Sequence, residues 1–211
     1  MIDEAFVAEQ LKNRWDYPYQ WLRKQNDQWD AMTNFIYKTP VWQELIELIK
    51  LSVDAYEVDK RELFYYAANR WYNFWSAMLV ERLFCQSEFV VPALNHKNRL
   101  VDFSLYGIDF DHKTSIFPKK YKPTLYYAQK HKADLIYWLY QNQSQQQRKH
   151  LANRLFIVVH NQDGEHWKLK ADLPKLKKAV FKYLSTFSKE NLVLVDLENH
   201  TAWSDIIWVT E

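Results

Sequence analysis

Only two glycines, Gly107 and Gly164, occur in the 211 residues, and that scarcity restricts where the backbone can turn tightly. Six prolines do little to add turns. Long helices and a modest sheet suit such a chain better than a many-stranded barrel, and the expectation is a mixed α and β protein. The same scarcity removes several functions. No GxxxxGK[ST] or GxGxxG cradle for phosphates can be built, and no serine stands between the glycines of a nucleophile elbow. A composition that is 48% hydrophobic and 17% aromatic supplies ample core material.

Residues 3 to 57 carry helical patterns broken near Pro18 and Pro40, which predicts two or three helices, with Thr39 as cap and Pro40 in the first turn of the last. A longer helix follows Asp59 to about residue 86, its expected apolar face made by Leu63, Ala67, Trp71, Phe74, Met78 and Cys85. The period then changes to two. Residues 89 to 94 read as a strand, and 99 to 106 and 108 to 117 as a hairpin around Gly107. Helical character returns over 124 to 153, LFIVVH (155 to 160) reads as a buried strand, 172 to 187 as a lysine-rich helix, and LVLVDL (192 to 197) as a further strand. With no obvious linker, a helical extension over 1 to 57 is expected to pack on a core spanning 58 to 211.

The hairpin concentrates the chemistry. A two-residue turn at Tyr106 and Gly107 pairs Leu105 with Ile108, Ser104 with Asp109, Phe103 with Phe110, and Asp102 with Asp111, the last two with Cβ atoms about 5 Å apart. Alternation sends Val101, Phe103, Leu105, Ile108, Phe110 and His112 to one face, and Asp102, Ser104, Asp109, Asp111 and Lys113 to the other. His112 is accordingly expected as a core histidine. Facing carboxylates repel unless they are solvated, share a proton or bind a cation, and Mg²⁺ takes oxygen ligands of this kind while keeping waters for a phosphate.

Val101-Asp102 followed nine residues later by Asp111-His112-Lys113 resembles the PD-(D/E)xK signature of restriction-endonuclease-like nucleases, with Val101 where the signature carries proline. The element order also resembles that fold's αβββαβ core over about residues 60 to 161, a mixed sheet flanked by helices. The resemblance implies a Mg²⁺- or Mn²⁺-dependent nuclease cutting phosphodiester bonds, with DNA as the expected substrate. It further implies Asp102, Asp111 and a helix glutamate, matched by Glu81, as metal ligands, and Lys113 as the group that orients the nucleophile and stabilises the transition state. Glu88 is the fallback for Glu81, and Asp109 a supporting or second-metal acid. Double-strand cutters of this fold commonly act as homodimers.

Charge asymmetry fits a polyanion partner. Lys113 to Lys182 contains 15 basic and 4 acidic residues, against 13 basic and 22 acidic elsewhere. Lys119, Lys120, Lys122, Arg148, Lys149 and Arg154 are the candidate phosphate contacts. A single cysteine, Cys85, excludes an internal disulfide and a thiolate cluster, and no HExxH zinc pattern occurs. Neither a signal peptide nor a membrane span is read, so a cytoplasmic protein is expected. Two other readings stand beside the nuclease: a nucleic-acid-binding or scaffold protein that retains the fold without cleaving, and a helical interaction protein whose acidic hairpin is simply exposed.

Overall fold

The computed structural model describes residues 3–93, 101–142, 152–197 and 200–211. They form an α/β protein whose chain divides into two compact units: residues 1–79 with 170–173, and residues 80–169 with 174–211.

In the first unit, α1 (Glu4–Lys12) starts where the Asp3 carboxylate accepts from the Ala5 N–H, and α2 (Asp27–Met32) where the Asn26 side chain accepts from the Trp29 N–H at 3.0 Å. The helix α3 spans Trp42–Tyr56 and ends at Glu57 in the left-handed conformation. It begins two residues after Pro40, behind Val41. Thr39 does not cap it: its hydroxyl donates back to the Phe35 carbonyl at 2.9 Å and closes the preceding 3-10 turn.

The long helix α4 (Lys60–Cys85) enters with the Asp59 carboxylate accepting from the Glu62 N–H at 2.7 Å, and contributes residues to both units. Its sequence pattern predicts one apolar face, yet Leu63, Tyr66, Ala67, Trp71, Tyr72, Trp75, Leu79, Val80, Leu83 and Phe84 are all buried. That set runs around the cylinder, as in a helix central to its surroundings. Burial reaches Arg14 as well, whose guanidinium donates to the carbonyls of Tyr17 and Pro18 and to Asn69 on α4. A buried cation is tolerable there because carbonyl and amide acceptors surround it.

The second unit holds a six-stranded mixed sheet among the described residues: β1 (Val90–Pro92), β2 (Phe103–Leu105), β3 (Ile108–Ile116), β4 (Arg154–His160), β5 (Val193–Leu197) and β6 (His200–Thr210), in spatial order β1-β2-β3-β4-β6-β5. The pairs β3–β4 and β4–β6 are parallel and the rest antiparallel. Leu155 to Val159 of β4 are fully buried, as a central parallel strand requires. Expectation and structure differ in two places. The helical stretch after residue 124 is broken into α5 (Leu125–Lys130) and α6 (Lys132–Asn142) at His131, and β6, which the sequence reading missed, is inserted between β4 and β5. The lysine-rich helix is α7 (Leu173–Ser185).

Candidate functional site

The register of the hairpin follows the expected pairing: Phe103 faces Phe110, Ser104 faces Asp109, and Leu105 faces Ile108. Both turn residues have positive φ, 48° at Tyr106 and 77° at Gly107, the pattern of a type I′ turn that matches strand twist. Tyrosine is unfavourable there, and its ring is held by stacking on Phe89 at 4.8 Å and Phe187 at 5.5 Å.

Asp102 precedes β2 and continues the pattern by donating its N–H to the Phe110 carbonyl at 2.8 Å. Its carboxyl lies within hydrogen-bonding reach of the Asp111 carboxyl. Each also has its own internal cation. Asp102 Oδ2 accepts from the His112 backbone N–H at 2.8 Å and lies 2.6 Å from His112 Nδ1. Asp111 Oδ2 accepts from Arg154 Nε at 2.5 Å and pairs with the same guanidinium's second nitrogen. Alternation would separate Asp102 from His112. They meet because Asp102 lies outside the β2 ladder, where the pleat no longer dictates its side chain.

His112 is buried, as expected of a core histidine, and stacks on Phe103 at 6.1 Å. Burial works against its protonation, but the hydrogen bond and charge of Asp102, with Asp111 and Glu81 adding, hold its pKa above the ordinary value. Burial would raise Asp102; the hydrogen bonds and charge of His112 outweigh it and keep that carboxyl below its usual range. Burial lifts Asp111 above the usual range, Arg154 opposes the rise, and the charge of Asp102 adds to it. The contact between Asp102 and His112 thus favours the charged form of each, beside a second acid that is less readily ionised.

Arg154, expected on a phosphate-binding surface, is 6% exposed and faces Asp111 directly across the parallel β3–β4 ladder. Asn153 secures the same corner: its carbonyl accepts from the Asp111 N–H, its amide donates to the Asp109 carbonyl, and its side-chain oxygen accepts from the Trp203 N–H. Sequence reasoning missed Asn153 and the pairings of His112 and Arg154. The only available signal was a polar pair, Asn153-Arg154, at the mouth of an apolar strand.

Lys113 is two residues beyond Asp111 on β3, half-buried. Glu81 is half-buried on the last turns of α4, near enough that its charge, second to burial, helps push the Cys85 thiol up to about 11. Glu88 and Asp109 are exposed. Among the described residues no three His, Cys, Asp or Glu side chains are arranged to hold a metal ion. Lys119, Lys120 and Lys122 are exposed after β3, whereas Arg148 and Lys149 lie outside the described residues. Part of the basic surplus is internally neutralised: Lys132 pairs with Asp205, Lys168 with Glu165, Lys175 with Glu211, and Lys170 is buried against Asn73. No helix among the described residues is long and apolar enough to cross a membrane. Comparison with family models, with curated proteins and with solved structures finds no match to the chain.

Proposed function

We propose that the chain is a metal-dependent phosphodiester hydrolase with a restriction-endonuclease-like core, acting on nucleic acid, with DNA as the expected substrate. The supporting observation is the pair Asp102 and Asp111, brought into hydrogen-bonding reach on a hairpin that also carries Lys113. The element order α4, β1, β2, β3, α5 and α6, β4 resembles the αβββαβ order of that fold.

The donor set fits a hard ion. Each carboxylate commits Oδ2 to an internal partner, and Mg²⁺ is commonly held by one or two carboxylates with waters filling the rest. Asp102 and Asp111 would hold it, with Glu81 adding negative charge from α4. When bound, Mg²⁺ or Mn²⁺ supplies charge neutralisation at the phosphate and acidification of a water. Lys113, two residues beyond Asp111 on β3, would orient the attacking water and stabilise charge developing on the phosphate. Lys119, Lys120 and Lys122 bind flanking phosphates. Arg154 and His112 keep the two acids in place.

One observation favours a second reading. Asp102 and Asp111 are each already neutralised, by His112 and Arg154, so a non-cleaving nucleic-acid-binding protein of the same fold would be stable as it stands. Cleavage of labelled single- and double-stranded DNA and RNA in Mg²⁺, Mn²⁺ or EDTA separates them. The variants are Asp111→Asn and Lys113→Met, chosen because Asp111→Ala would leave Arg154 buried without its partner. Metal-dependent cutting abolished by both, in folded protein, supports the hydrolase. Salt-dependent binding that survives EDTA, without cutting, supports the binder and refutes catalysis.

A further inference from the structure

A cavity of about 260 Å³ opens in the second unit, where Lys132 at the start of α6, Tyr183 and Phe187 at the end of α7, Asn191 before β5, and Asp205 and Trp208 of β6 meet. A charge pair is part of its lining. Asp205 Oδ1 accepts from Lys132 Nζ at 2.7 Å, and Asp205 Oδ2 accepts from the Tyr183 hydroxyl at 3.3 Å. The Asp205 side chain is 7% exposed, and Lys132 also donates to the Asn191 carbonyl at 2.6 Å. Two aromatic side chains, Phe187 and Trp208, also line the cavity. The Phe187 ring stacks near-parallel on Tyr106, 7° from coplanar, and Trp208 is half-buried.

Packing alone does not account for this construction. Burying a carboxylate is seldom stabilising compared with an apolar residue of the same volume, and here the buried Asp205 and its partner Lys132 both line a cavity. Bonding capacity remains among these lining residues. Lys132 uses two of its three donors, Asp205 Oδ2 takes one bond, and the Asn191 side-chain amide has no partner among the described residues. Donors and an acceptor side by side in a lining that also holds aromatic rings suit a flat heteroaromatic ring with donors and acceptors along one edge. The volume, below that of drug-sized sites, suits one such ring.

We propose that this cavity accepts a single unpaired nucleobase of a bound strand, the Asp205–Lys132 pair reading its edge while Phe187 and Trp208 pack its faces. The inference rests on the nucleic-acid reading above and deepens it. Lys132 begins the helix that brings Tyr140, eight residues on, to the guanidinium of Arg154. That is about 12 Å along α6, so the base pocket and the Asp102–Asp111 pair fall within a few nucleotides of each other.

The test compares binding of a single-stranded oligonucleotide with the same backbone carrying abasic positions, in EDTA, for wild type, Trp208→Leu and Thr186→Arg. Thr186 is exposed at the cavity rim, so its arginine fills the opening without disturbing the core. The expected result is a loss of about 5- to 100-fold for the abasic strand, the range that base stacking gives. Thr186→Arg and Trp208→Leu should lose affinity for the intact strand and abolish the difference. Equal affinity for both strands in wild type overturns the pocket while leaving the hydrolase standing. Absence of salt-dependent binding to either strand overturns both.

Discussion

Replacing Arg154 by methionine removes the cation that Asp111 faces across the β3–β4 ladder while filling nearly the same space. Arg154 and Asp111 side chains are 7% and 16% exposed, so water cannot readily replace the lost partner. Breaking a buried pair costs about 3–5 kcal/mol. Asp111 has an escape, because it can take up a proton. Protonating a carboxyl of ordinary pKa at pH 7 costs about 4 kcal/mol, at about 1.4 kcal/mol for each unit. Burial and the neighbouring Asp102 already raise Asp111, which lowers that ceiling. The loss at pH 7 should therefore be about 2–4 kcal/mol, or a fall in Tm of roughly 5–15 °C for a unit of this size. The sign with pH is definite. Without Arg154 the folded carboxyl titrates above its unfolded value, so the folded state holds the extra proton and the variant gains stability as pH falls from 7 towards 4. Thermal melts followed by circular dichroism at pH 5 and pH 7 measure both. A fall below 2 °C at pH 7, or one that is as large at pH 5 as at pH 7, refutes the view that Arg154 neutralises a buried acid.

Lys170 is buried in the first unit against Asn73, and desolvation lowers its pKa to about 8; the unfolded chain keeps its proton up to about 10.4, so stability should rise by about 3 kcal/mol between pH 8 and 10.5. In urea titrations, Lys170→Met should remove that slope, and a slope unchanged in the variant overturns the assignment. A methyl group at Gly107 meets nothing within 4 Å, so Gly107→Ala should cost only the backbone penalty of φ +77°, about 1–2 kcal/mol in Tm-derived stability. A larger loss would mean that the turn packs more closely than it does here. Asn153→Ala breaks two side-chain hydrogen bonds that tie β3 to β6, with an expected loss of about 1–3 kcal/mol and faster amide exchange at Asp111 and Trp203. Unchanged exchange at both amides would refute its role as the clip of this corner.

The hairpin was legible from sequence because local rules decide it. Gly107 supplies the turn, the alternation of Phe103, Leu105 and Phe110 supplies the buried face, and together they set the register down to Ser104 opposite Asp109. The α4 helix was legible in extent but not in environment: apolar spacing predicts a helix, whereas how many of its sides are covered depends on what else surrounds it. The strand β6 was missed although it carries Ile206, Ile207, Trp208 and Val209. Its opening residues, HTAWSD, are polar because Val193 to Leu197 of β5 pair there as an edge, and the apolar residues belong to the stretch beside β4.

Sequence by itself determined the turn, the register of the hairpin and the nearness of Asp102 to Asp111, since each depends on neighbours within a dozen residues. Tertiary structure alone decided what those acids touch. Arg154 is 43 residues from Asp111, and only parallel pairing of β3 with β4 puts it opposite. The Lys132–Asp205 pair, 73 residues apart, needs α6 and β6 brought to one cavity. Periodicity along a chain reports which face of an element is apolar; it carries no information about which distant element will cover that face, and the charges of this protein are set by that choice.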